Sequence, residues 1–222
     1  MAVESWREVA RFRADIYRFL GHCLLEPIKA DRLPLTRQQF WHDFPLAPAN
    51  EEMKASLDNL VRCTGSLETR PPEEALEKLQ LEYATLFLGP DGGKAPPWES
   101  LYRTPERLLF GPPAGQVREA MRRFGVEVAA KYQVPEDHLG LELILLAAAA
   151  EAAAGQDGKV CGDHARAQLA FIEAHPLAWI ADLERDAAAH SETGFYPAII
   201  GLVRGVLLWD RELLGEYIGD AG

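Results

Sequence analysis

The sequence predicts an all-α protein, a single-domain helical bundle over residues 1–222, and three observations carry that prediction. Apolar residues recur at steps of three and four through most of the chain, the spacing that lines one face of an α-helix. No stretch shows the strict alternation of a half-buried strand, and no repeat of the ~20–50 residue length that builds solenoids is present. With 222 residues, 48% of them hydrophobic, the chain is long enough to bury one substantial core.

Helix signals succeed one another along the chain. Ser5 is placed to cap a helix whose apolar positions are Val9, Phe12, Ile16, Phe19, Leu20, Cys23 and Leu24, with Pro27 at or after its end. Asn50 caps a second carrying Met53, Leu57, Leu60 and Val61. Pro71, Pro72, Glu73 and Glu74 make a first turn for a third, with Leu76, Leu79, Tyr83, Leu86 and Phe87 on its apolar face. Glycine and proline across 89–97 then break regular structure, giving a long Gly/Pro-rich loop near residues 88–103. Thr104, Pro105 and Glu106 are a further start signal. Val117, Met121 and Phe124 mark the next helix, and Gly125 its stop. Pro135, Glu136 and Asp137 suit a first turn leading into Leu139–Ala154, and 155–158 is a hinge. Helical spacing resumes over 165–175, 177–190 and 197–218.

Composition excludes several functions. Acidic residues outnumber basic ones by 34 to 23, a formal charge of −11 that repels nucleic-acid phosphates and favours basic partners. Three widely spaced cysteines build neither a disulfide framework nor a paired zinc motif. The longest apolar run, 143–150, is less than half of the ~20 residues a membrane span needs. The N-terminus becomes charged at once and lacks a signal peptide's apolar core. These features predict a cytoplasmic protein that does not insert into membranes.

Three motifs hint at chemistry, and each falls short of it. Leu88-Gly89-Pro90-Asp91-Gly92-Gly93-Lys94 resembles a phosphate loop, but Leu88 stands where the leading glycine belongs and no Ser or Thr follows Lys94. His138 and Glu142, four residues apart, put an imidazole and a carboxylate on one helical face, but no nucleophile or cofactor motif accompanies them. Cys161 and His164 are half of a zinc site at most. No catalytic residue, metal or cofactor is expected.

The order Glu82-Tyr83-Ala84-Thr85-Leu86-Phe87-Leu88-Gly89-Pro90, Ala95-Pro96-Pro97-Trp98-Glu99-Ser100-Leu101-Tyr102 and Pro135-Glu136-Asp137-His138-Leu139-Gly140-Leu141-Glu142 resembles the TorD/DmsD/NarJ-like chaperones. The segments around Phe171, Trp179 and Phe195-Tyr196 extend the likeness more loosely. The resemblance implies a helical bundle of the TorD-like type that is not an enzyme. It implies a system-specific chaperone whose partner is the apo catalytic subunit of a molybdenum oxidoreductase, bound with its twin-arginine leader peptide until cofactor insertion is complete. It implies a peptide-binding region of Pro97, Trp98, Glu99, Ser100, Tyr102, Pro135, Asp137, His138 and Glu142, in which carboxylates accept leader guanidiniums beside exposed aromatic surface. Two alternatives stay open: an assembly factor binding a mature region of a membrane-bound reductase, and a nucleotide-hydrolysing enzyme. A homodimer formed by segment exchange at the 155–158 hinge is also left open.

Overall fold

The computed structural model describes residues 3–89, 93–127, 134–155 and 158–220. Among them are ten α-helices and no strand: α1 Val3–Leu25, α2 Gln38–His42, α3 Glu51–Leu67, α4 Pro72–Phe87, α5 Glu99–Arg103, α6 Pro112–Arg123, α7 Leu139–Ala154, α8 Gly158–Ala174, α9 Pro176–His190 and α10 Phe195–Asp220. A 3-10 stretch, Ala30–Thr36, precedes α2. The chain divides into two compact units, each built from separated stretches.

The first unit comprises Met1–Leu25, Trp98–Trp179 and Leu207–Gly222. Its centre is α7, whose Leu and Ala residues are buried on nearly every side, as a helix apolar all round must be. Packing of α1 against α7 is close because both carry glycine at the contact. A Cβ at Gly140 would lie 2.6 Å from Leu25 Cγ and 2.9 Å from the Gly21 carbonyl oxygen. On the predicted face of α1, Ile16, Leu20, Cys23 and Leu24 are buried as expected, but Phe12 is 37% exposed, and Arg13 beside it is fully buried. Arg13 is tolerated inside because α8 and α10 meet it with acceptors. Its Nε donates to Asp210 Oδ1 at 2.5 Å and its Nη2 to Asp210 Oδ2 at 2.9 Å and Gln168 Oε1 at 2.7 Å. Tyr17 donates its hydroxyl to Asp210 Oδ2 at 2.7 Å. The pairing sets a buried guanidinium against a buried carboxylate.

The second unit comprises Glu26–Pro97 and Ile180–Val206. Asn50 caps α3 as expected, its side chain accepting from the Met53 N–H at 2.8 Å. Tyr83, Leu86 and Phe87 belong to the core of this unit, where Tyr196 packs edge-on against Tyr83 and Phe87 at centroid distances of 5.6 and 5.3 Å. The Glu82 carboxylate accepts from the Thr193 N–H at 3.0 Å and from the Ser191 hydroxyl, tying down the turn between α9 and α10.

Several boundaries differ from expectation. The described part of α1 runs from Val3, which puts Ser5 within the helix and not before it; its side chain lies outside what the structure describes. The 3-10 stretch and α2 carry no apolar periodicity long enough to announce them. The irregular segment after α4 ends at Trp98, and 99–103 coil into the single turn α5. Thr104, Pro105 and Glu106 start no helix; the chain turns instead, with Arg107 and Phe110 at φ of 50° and 63°. Gly125 does stop α6, at φ 68°, with its N–H on the Arg122 carbonyl and the Val126 N–H on that of Met121, the double bond of a Schellman end. Within the proposed hinge, 156 and 157 lie outside the described residues, as do 90–92 of the Gly-rich loop.

Candidate functional site

All of the sequence-predicted site residues except Pro97 lie in the first unit. Two chain segments bring them together. The Glu99 N–H donates to the Asp137 carbonyl at 3.0 Å, and Trp98 forms an isolated antiparallel bridge with His138. The starts of α5 and α7 therefore lie side by side. Each supplies what the other lacks. α5 has no side-chain cap of its own, and the Asp137 carboxylate serves instead, its Oδ2 accepting from the Ser100 N–H at 2.8 Å and from the Ser100 hydroxyl. With Asp137 so engaged, α7 is capped by His138, whose Nδ1 accepts from the Gly140 N–H at 3.0 Å. Pro135, Glu136 and Asp137 form a turn before that cap, not the first helical turn the sequence suggests.

The site is an interior network. Glu99, Ser100, Asp137 and Glu142 are fully buried; His138 is 4% and Trp98 8% exposed. The Trp98 ring, expected on the surface, meets the His138 ring edge-on at 5.2 Å. Of the predicted set only Tyr102 keeps appreciable surface, its ring stacked on Trp179 at 5.3 Å and covered by the Arg107 guanidinium at 5.8 Å. The pattern that suggests a binding wall also describes two chain segments locked together by caps.

Burial sets the electrostatics. It drives the His138 imidazole down to about 3, so the ring is neutral and carries its proton on Nε2, opposite the Nδ1 acceptor. It raises the Asp137 carboxyl, an effect the two Ser100 hydrogen bonds oppose. Glu142 is pushed well above the ordinary carboxyl range, first by burial and then by Glu99 and Asp137. The Glu99 carboxyl and the Trp179 indole stand beside Glu142, but neither Glu142 oxygen meets a partner in hydrogen-bond geometry among the described residues.

Two further members of the network lie outside the set predicted from sequence. Arg103, one helical turn after Glu99, donates to its carboxylate and to the Ala174 carbonyl at 2.6 Å. His175, between α8 and α9, places Nδ1 2.8 Å from Glu99 Oε2. The i, i+4 spacing of Glu99 and Arg103 is a legible signal; His175 has none, because only the fold brings it to α5. Ligand atoms of Glu99, Glu142 and His175 lie within 4.8 Å of one another.

Exposed apolar surface stands immediately beside this network. Leu108, Leu109 and Phe110 are 64%, 41% and 70% exposed on the turn after α5. The base of that turn returns to the site: a Cβ at Gly111 would sit 3.1 Å from Ser100 Oγ. Glu106 is exposed on the same turn.

A family model described as nitrate reductase delta subunit matches residues 45–185. Similar over nearly the whole length are proteins named chaperone protein TorD. That of Psychrobacter sp. (strain PRwf-1) is 25% identical, covering 96% of each chain. That of Vibrio cholerae serotype O1 (strain ATCC 39541 / Classical Ogawa 395 / O395) is 29% identical, covering 94% of each. That of Shewanella sp. (strain ANA-3) is 29% identical, covering 94% of this chain and 97% of its own.

Proposed function

Because the chain belongs to the nitrate reductase delta subunit family, the TorD/NarJ chaperones, we propose that it is a system-specific maturation chaperone for a molybdenum oxidoreductase. It holds the apo catalytic subunit, together with its twin-arginine leader, until cofactor insertion is complete, and so delays export. It acts in the cytoplasm by binding and timing; no chemical step is required. Release follows client folding, because a folded client withdraws the surface on which differential affinity depends.

The observation that carries this reading is the pairing of a rigid, mutually capped network with an exposed apolar turn on one unit of an acidic chain. The network positions; the turn makes contact. Asp137, Ser100, His138 and Glu99 fix the start of α5, and α5 presents Tyr102 and the segment carrying Glu106, Leu108 and Phe110. A leader with adjacent arginines and an apolar stretch is complementary to a carboxylate beside aliphatic and aromatic side chains.

The test is calorimetric titration of the full chain with a twin-arginine leader peptide from the catalytic subunit of a molybdenum oxidoreductase. Binding is expected to weaken with salt, to show a negative heat-capacity change, and to fall roughly tenfold or more when both arginines become lysines. Phe110→Ser should weaken it with little effect on thermal unfolding, because the side chain it removes is mostly in solvent. Asp137→Asn keeps an acceptor for Ser100 and should cost on the order of 1 kcal/mol of stability. Unchanged affinity in Phe110→Ser, or equal affinity for the arginine and lysine peptides, would sink the leader reading. The family's description as a reductase subunit favours a second reading, capture of a mature region of a membrane-bound reductase. A leaderless client fragment that binds while the leader does not would establish it instead.

A further inference from the structure

We infer that Glu99, Glu142 and His175 form a binding site for one divalent transition-metal ion of the series from Mn2+ to Zn2+. The three residues come from α5, from α7 and from the junction of α8 and α9, so their meeting is made by the fold alone. Each offers a ligand atom, and these atoms lie within 4.8 Å of one another in the interior.

Two further observations point to a ligand. Both Glu142 oxygens are buried and meet no hydrogen-bond donor among the described residues, an arrangement that native interiors rarely leave unanswered. Cation-binding groups are also concentrated there: Glu99, Asp137 and Glu142 are three carboxyl groups in mutual reach, with the Arg103 guanidinium and the His175 ring both on Glu99.

The donor set narrows the ion. Two carboxylates and one imidazole, with no thiolate, suit borderline ions more than Ca2+, which takes six to eight oxygens, or Cu+, which prefers sulfur. Outer support is in place: Arg103 holds the second Glu99 oxygen, and the Trp179 indole stands beside Glu142. An entry path exists as well. His175 also lines a groove of about 350 Å³ between α6 and α8, with Phe171, Ala174 and Arg123. In the ion-free form the 2.8 Å contact of His175 with Glu99 takes the place of the two metal bonds.

The test uses the full chain, freed of metal by dialysis against a chelator and titrated with Co2+. One Co2+ per chain, with visible ligand-field absorption that Zn2+ abolishes, is expected. Glu142→Gln has the shape of the protonated acid and should unfold at the wild-type temperature while binding Co2+ roughly tenfold or more weakly. His175→Gln should weaken binding similarly, and it decides the matter should Glu142→Gln not fold. Absence of stoichiometric Co2+ binding overturns the inference. So does wild-type binding by both variants, which would send the ion elsewhere in the chain. Metal uptake is read without any peptide, so this result and the leader titration stand or fall separately.

Discussion

Removing one partner of the Arg13–Asp210 pair should be far more damaging than removing both. Asp210→Asn keeps the shape of the side chain and its ability to accept from Tyr17, but takes away the carboxylate charge that the fully buried Arg13 guanidinium is paired with. Breaking a buried pair in this way costs about 3–5 kcal/mol. For a chain of this size each kcal/mol moves Tm by about 2–4 °C, so the single variant should melt roughly 6–20 °C below wild type. Arg13→Met strands the carboxylate instead and should fall in the same range. The double variant Arg13→Met/Asp210→Asn removes both buried charges together, and Asn can still accept from Tyr17. It should lie within about 2 kcal/mol of wild type, so the summed single effects overshoot it by about 4 kcal/mol or more. Urea unfolding of the four proteins measures this directly. Additivity within about 0.5 kcal/mol, or an Asp210→Asn cost under about 1 kcal/mol, would refute the claim that pairing is what allows Arg13 inside.

Other tests reach different parts of the molecule. Gly140→Ala should destabilise by about 1–3 kcal/mol, because the new Cβ meets Leu25 Cγ at 2.6 Å and the Gly21 backbone at 2.9 Å, whereas Gly115→Ala, in open space within α6, should be neutral or stabilise by about 0.5–1 kcal/mol. Equal effects at the two positions would deny the close approach of α1 and α7. The His138 imidazole is held down to about 3 in the folded chain, against about 6.5 unfolded, so it favours folding above pH 6.5 and that contribution is lost as pH falls. Stability should therefore decline between pH 6.5 and 3 by up to about 1.4 kcal/mol per pH unit from this group, and His138→Gln should flatten that slope; an unchanged slope would mean the ring is not buried neutral. Trp98→Ala should cost about 3–5 kcal/mol of stability, as a buried aromatic does, and a surface-like loss below about 1 kcal/mol would place the ring outside the network.

The elements that sequence reveals best are those whose signal is local. Asn50 before Met53, Pro72 at a first turn and Gly125 at an end act through their nearest backbone groups, so each is readable without the fold. The segments 97–102 and 135–142 are legible as a pair through family likeness, but their chemistry is not. Spacing alone makes Trp98 a loop aromatic and Asp137 a helix-start acid. Their burial depends on α5 and α7 exchanging caps, a long-range pairing that no periodicity encodes. Arg13 fails to read as core for the same reason: its partners stand on α8 and α10. The exposed turn after α5 reads as a helix start because Thr-Pro-Glu favours one locally. The left-handed backbone at Arg107 and Phe110 instead accompanies the return of the chain to Gly111, close against Ser100.

Synthesis runs from one end of the chain to the other, and the discontinuity of both units constrains how this protein can be made. Arg13 and Asp210 are 197 residues apart. At translation rates of about 5–20 residues per second, α1 waits roughly 10–40 s after emerging before its countercharge exists. The second unit also needs Ile180–Val206 beside Glu26–Pro97, so neither core can close early. Domain-by-domain folding on the ribosome is thus closed to this chain. Its first half must remain uncommitted until α10 leaves the exit tunnel, and truncation anywhere before α10 should yield a product that aggregates or is degraded.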